Sequence, residues 1–394
     1  MVTVNFDQIV GREQTGAVKF DARGAVFGSH EVIPLWVADM DFPAPEAVTR
    51  ALVERAQHPV YGYTLFRDSL YESIISWFRE RHGWTIERDW LMLVPGVVPS
   101  LHAAALAFAA EGEGIIIQPP VYPPFYSAIR KTGRRVVENP LRLRDGVYEM
   151  DLEHLERCAD DGARLLFLCS PHNPVGRVWR RDELEAVLAI ARRYNLVVLA
   201  DEIHADLVYP DREPHTVMAS LATAQDPLIT AVAPSKSFNV PGMGLSVLVA
   251  PDPAHRAALA APFEQLHVLS CNPFSAAALE AGYRHGGAWL DQLLVYLAGN
   301  RDFVCDYLAE HIPQLTVTPA QGTYLLWIDC RALGMTDGEL KRFFVSQAGV
   351  GLSPGASFGE GGSGFMRLNL GTSRAVLEQA LTQIRKAIAE LGTS

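Results

Sequence analysis

Three short segments in the middle of the chain each set one chemically useful side chain just past an apolar run. They run from Ser170 to Gly176 around Asn173, from Asp201 to His204, and from Ser235 to Asn239 around Lys236. An amide, a carboxylate and an amine in such positions suit an aldehyde cofactor of the pyridoxal phosphate type. That cofactor needs an amine to hold it, an acid to keep its ring nitrogen protonated and a donor for its phenolic oxygen.

Each residue alone also has a plainer reading. One lysine among 34 Lys and Arg residues is ordinarily a solvated surface charge. Asp201 could cap a helix or turn, and Asn173 before Pro174 could simply make a turn. Read together, Lys236 can form a Schiff base and then serve as the base that removes a substrate Cα proton. Asp201 can keep the ring nitrogen charged. His204 is within helical reach of the same face, where it either touches the cofactor oxygen or fills the wall. Phosphate needs backbone donors at a helix start. Residues 95–100 open an apolar helix expected over 101–110, making the amides of Val97 and Val98 candidates, with Ser235 adding a hydroxyl. Tyr122 follows another apolar run and could stack on a ring or pack as core.

The elements that must position these residues read as strands crossed by helices, in a mostly parallel α/β sheet. Nearly all-apolar runs at 114–118, 165–169, 196–200, 228–232 and 245–249 suit strands covered on both faces. Between two of them, Asp182 can cap a crossover helix with Leu184, Val187, Leu188 and Ala191 at helical spacing. From about Ala288 the pattern becomes a long helix and then a smaller α+β domain. Its expected pieces are strands at 315–318, 323–328 and 365–369, helices near 337–347 and from Ser373, and a surface loop over 351–364.

Composition narrows the classes. The chain has 394 residues, 49% of them apolar, enough for a large cored domain and a smaller one. A net charge of −11 argues against binding nucleic acid through its backbone. Cys158, Cys169, Cys271, Cys305 and Cys330 are scattered, as reduced thiols in a cytoplasmic protein would be. No apolar run approaches membrane-spanning length, and the first residues lack a secretory pattern. No metal-binding cluster is evident. The run from Gly355 to Gly359 matches a Gly-x-Ser-x-Gly elbow around Ser357, but no histidine follows residue 311 to complete a hydrolase triad.

Several further segments strengthen the pattern: 35–42 around Trp36, 61–63, 120–122, 176–179, 201–207 and 367–369. With these, the chain resembles fold-type I pyridoxal phosphate enzymes, the class I/II aminotransferase superfamily, within it the cystathionine β-lyase or carbon–sulfur lyase branch of the MalY and PatB type. The resemblance covers nearly the whole chain. It implies a large domain over 48–287 with a mostly parallel seven-stranded sheet, a small domain over 288–394, and an N-terminal segment 1–47 joining the small domain. It implies that Lys236 is the Schiff-base lysine, Asp201 the ring-nitrogen partner, Asn173 the phenolate donor and Tyr122 the stacking ring. Arg367 would clamp the substrate α-carboxylate bidentately, with Trp36 also at the substrate, and Tyr61 would reach the phosphate of a second subunit in a homodimer. Ala233 and Gly244 stand where relatives carry a serine and some aminotransferases an arginine, so phosphate binding would lean on Ser235, backbone amides and Tyr61. His204 stands where aminotransferases usually carry tyrosine. The implied activity is cleavage of cystathionine and related cysteine S-conjugates to a thiol such as homocysteine, pyruvate and ammonia. The alternatives are transfer of the amino group of a small or aromatic amino acid, and a regulatory binding protein that retains the pocket.

Overall fold

A computed structural model describes residues 3–269 and 271–391; residues 1, 2 and 392–394, at the ends of the expected domains, lie outside it. Seven strands form the large sheet in the order Leu91–Val94, Ser246–Val249, Leu228–Val232, Val197–Asp201, Leu165–Cys169, Gly114–Ile117 and Arg135–Glu138. All pair in parallel except Ser246–Val249, which runs against both neighbours. The central strands are apolar throughout because both faces are covered. Leu165, Phe167 and Cys169 pack with Leu101 and Phe125 on one side, while Leu166 and Leu168 pack with Leu184 and Val187 on the other.

Five expected strands are present within a residue or so of their expected ends. The edge strands Leu91–Val94 and Arg135–Glu138 escaped the reading, the second because its exposed Arg135 breaks the apolar run. The helix expected from Leu101 opens at Val97, since Pro99 falls in its first turn, where a missing N–H costs nothing. Asp182 is not the cap of Arg181–Tyr194. Its carboxylate turns out to the Arg180 guanidinium at 3.0 Å, while Glu183 accepts the Arg180 N–H at 2.8 Å.

Downstream, the helix Gly287–His311 leads into an antiparallel sheet ordered Thr316–Val317, Leu325–Asp329, Phe365–Asn369 and Ser353–Pro354. The stretch 351–364 is therefore not only a surface loop. Ser353–Pro354 pairs with the Phe365–Asn369 strand, and Leu352 and Phe358 are buried. The final helix is Arg374–Leu391, and Ile33–Pro34 pairs in parallel with Val350–Gly351.

One glycine pins the two halves together. A Cβ at Gly322 would stand 2.8 Å from the Leu207 carbonyl oxygen. Close approach there lets Gln321 and Gly322 donate to the Gly176 carbonyl at 2.8 and 3.1 Å, and Thr323 to that of Leu207 at 2.6 Å.

Candidate active site

The register aligns Cys169 with Asp201 and Asp201 with Ala231, so three adjacent strands end at one edge and release the loops carrying Asn173, Asp201 and Lys236 together. Open α/β sheets bind ligands at such an edge. Lys236, Asp201, Asn173, Tyr122, His204, Ser235, Val97 and Val98 line one cavity of about 310 Å³, along with Ala38, Cys169 and Ser246. Lys236 rides on the short helical turn Pro234–Ser237, and its Nζ donates to the Ala38 carbonyl.

Burial shifts several of the same groups. Burial pushes the Asp201 carboxyl up to about 7, against a single N–H from Ile203 at 3.2 Å and the nearby Lys236 charge. Burial, helped by the Arg367 charge, draws Lys236 down to about 8. His204 is drawn down to about 3 by burial and by the Lys236 and Arg367 charges, so its imidazole is neutral, and its buried Nδ1 has no partner. Burial also raises the Tyr122 phenol.

Arg367 stands in the wall behind Asn173, donating to Asn173 Oδ1 at 3.0 Å, to the Trp36 carbonyl at 2.8 Å and to Ser353 Oγ at 3.3 Å. All three acceptors are uncharged. Its Nε is buried without a partner, and burial draws the guanidinium down to about 10. Asn173 thus spends its oxygen on Arg367, leaving its amide N–H groups as the donors for a ligand.

Two expected residues are placed elsewhere. The Trp36 indole turns away to donate to the Lys19 carbonyl at 3.0 Å, and only its backbone carbonyl serves the site. Tyr61 does not line the cavity of its own chain. Its hydroxyl donates to the Ala56 carbonyl at 2.7 Å, and its ring packs on Phe274 and Arg55, still 58% exposed. Ser353 and Tyr324 were missed; the Tyr324 hydroxyl donates to the Ala38 carbonyl at 2.8 Å. Strand alternation could have flagged Asn369 as lying on the face of Arg367, two residues away. Among the described residues no cluster could hold a metal ion, and no helix is long and apolar enough to cross a membrane.

The donor set fits pyridoxal phosphate. A buried carboxylate short of partners suits a protonated ring nitrogen, and a depressed amine suits an aldehyde carbon. The unpaired N–H groups at the start of the twelve-residue helix Val97–Phe108 suit a phosphate, with Ser235 beside them.

Fold and site together define a type I pyridoxal phosphate enzyme, with a lysine at the carboxyl edge of a mostly parallel sheet and an arginine supplied by a second sheet. The chain belongs to the aminotransferase class I and II family, which it matches over residues 30–384. It is 39% identical to cystathionine beta-lyase PatB of Bacillus subtilis (strain 168) over 388 residues, covering 98% of this chain and 100% of PatB. It is 32% identical to protein MalY of Escherichia coli (strain K12), covering 98% of both chains. The crystal structure of cystalysin from Treponema denticola, which contains pyridoxal 5'-phosphate, superposes with a TM-score of 0.96 at 34% identity, covering 99% of this chain and 100% of that one.

Proposed function

We propose that this protein is a pyridoxal phosphate-dependent carbon–sulfur β-lyase that cleaves L-cystathionine and related cysteine S-conjugates to a thiol such as homocysteine, pyruvate and ammonia. The observation that carries the proposal is a lysine drawn down to about 8 in the cavity, with a buried, carboxylate-free arginine behind the Asn173 that lines the same cavity, in a chain matching PatB over nearly its whole length. When bound, the cofactor supplies an electron-withdrawing ring that drains charge from the substrate carbon losing its proton. Lys236 would hold that group, and its amine would accept the Cα proton; an amine near pKa 8 is partly neutral at working pH and fit to do so. Asp201 would keep the ring nitrogen protonated, Asn173 would donate to the phenolic oxygen, and Tyr122 would cover the ring. Arg367 takes the α-carboxylate and fixes the Cα–H bond toward Lys236. The Cβ–S bond then breaks, the sulfur leaves as a thiolate that takes up a proton to become the thiol, and water hydrolyses the released three-carbon enamine to pyruvate and ammonia.

The aminotransferase reading shares these steps up to proton removal. His204 favours the lyase, because a neutral imidazole stands where a tyrosine usually serves transamination. Incubation with L-cystathionine distinguishes the two. The lyase releases pyruvate and thiol without any added keto acid, whereas turnover that requires a keto acid acceptor would replace the proposal with transamination.

The same reading includes a cytoplasmic homodimer in which Tyr61 serves the phosphate of the second subunit. Its support is the exposure of Tyr61 beside Val60, Tyr63 and Leu65, an apolar run facing outward. Mixing Lys236→Ala and Tyr61→Ala chains should restore activity neither variant has alone, since one site of each hybrid would be intact. The division into a 48–287 domain and a small 288–394 domain, with segment 1–47 joining the small one, belongs to this proposal, supported by the pairing of Ile33–Pro34 with Val350–Gly351.

A further inference from the structure

Residues 35–42 form neither helix nor strand, yet they cross the site between Lys236 and Arg367. Irregular backbone needs partners for its carbonyls, and here side chains supply them. The Ala38 carbonyl accepts from Lys236 and Tyr324, and the Trp36 carbonyl from Arg367 and Ser353. Two asparagines clip the segment from opposite sides. Asn369, on the small-domain strand, donates to the carbonyls of Val37 and Asp39. Asn239, three residues after Lys236, donates to those of Met40 and Phe42 at 2.8 Å each and accepts the Met40 N–H at 2.9 Å. Its backbone is left-handed, with φ of 54°, which asparagine tolerates.

We infer that Asn239 is a positioning residue for substrate recognition: its amide ties the 36–42 segment to the turn bearing Lys236 and so keeps the Trp36 carbonyl where it aims Arg367. A carbonyl orients a guanidinium without neutralising it, so Arg367 retains its charge for the carboxylate of an amino acid. Loosening the clip frees the carbonyl to drift, and displacements near 1 Å at a binding group cost heavily.

The inference rests on the reading of Arg367 as the carboxylate clamp, and the test separates the two. Binding of L-alanine, which carries no leaving group, and of ethylamine, which lacks the carboxylate, is measured on the holoenzyme by titration calorimetry. The ratio of the two affinities reports carboxylate recognition and is insensitive to a general loss of folded protein. Asn239→Gly keeps the left-handed backbone, whereas Asn239→Asp keeps the acceptor and loses both donors. In each the ratio should fall about tenfold, with cofactor content by visible absorbance unchanged. A ratio equal to the parent's, including equal loss of both ligands, overturns the inference. A parent that binds both probes equally removes the Arg367 reading and this inference with it. Should the Asn239 variants not fold, Asn369→Asp cuts the opposite clip and is held to the same ratio.

Discussion

Asp201 and Asp206 lie five residues apart, both buried, and the protein treats them in opposite ways. Asp201 at the cavity floor receives one backbone N–H and is pushed up to about 7 by burial. Asp206, one layer behind, accepts from Trp77 Nε1 at 3.1 Å, from His82 Nε2 at 2.7 Å and from the Ser237 hydroxyl. Burial opposes its ionisation, but the His82 hydrogen bond and charge, the Ser237 hydrogen bond and the Arg81 charge together outweigh burial and hold it below the usual carboxylate range. The arginines divide the same way. Arg367 meets only neutral oxygens, whereas Arg301 pairs with Asp211 at 2.9 Å and Asp302 at 2.7 Å, partners that outweigh its burial and raise it. Of these four charged groups, the two short of partners lie at the cavity or directly behind its wall, and the two satisfied ones belong to the frame around it. Charge burial alone does not distinguish the two.

The sharpest way to break this contrast is at Lys236. Lys236→Ala should lower turnover by about a thousandfold or more, read as pyruvate released from L-cystathionine, and a variant retaining most activity would return the lysine to the frame. The next effect concerns Asp201 in cofactor-free protein. Its carboxyl rises from 3.8 to about 7 on folding, so the folded state holds an extra proton between those values. That contribution to stability is full below pH 4 and disappears as pH climbs through 7, on the order of a few kcal/mol. Urea midpoints at pH 4, 5.5 and 7 should decline in the parent and flatten in Asp201→Asn; parallel declines would show that Asp201 is as well satisfied as Asp206. Arg367→Ala should raise KM about a hundredfold with a smaller change in kcat, and steady-state kinetics showing an untouched KM would place Arg367 with Arg301. The smallest effect is expected in the frame. Asp206→Asn should cost about 2 kcal/mol of unfolding free energy in urea while KM stays near the parent's, and a large KM change would extend the ligand-completed region one layer deeper.

What was legible in the sequence follows the same division. Strand ends at a parallel edge are local patterns, so Asn173, Asp201 and Lys236 are placed by the residues on either side of them, and the strands 165–169, 228–232 and 365–369 appear with the residue limits expected of them. Val97 and Val98 were legible because a helix start carries its own signal. The Trp36 side chain was misplaced because the contribution of that residue is a carbonyl, which every residue type possesses. The clips made by Asn239 and Asn369 were illegible for a related reason. Their partners lie 197–199 and 330–332 positions away in the chain, and only tertiary packing decides which carbonyls they meet. The stretch 351–364 read as a loop from its glycines, but the burial of Leu352 and Phe358 depends on neighbours no local pattern contains.

The missing side chain at position 322 has a practical meaning for anyone reshaping this enzyme. Its backbone neighbours belong to the loops that present Asn173 on one side and lead out from His204 and Asp206 on the other. A library diversified at that spot would retune the amide, the imidazole and the frame at once, so selectivity is better sought at Pro241, which lines the cavity from an exposed position.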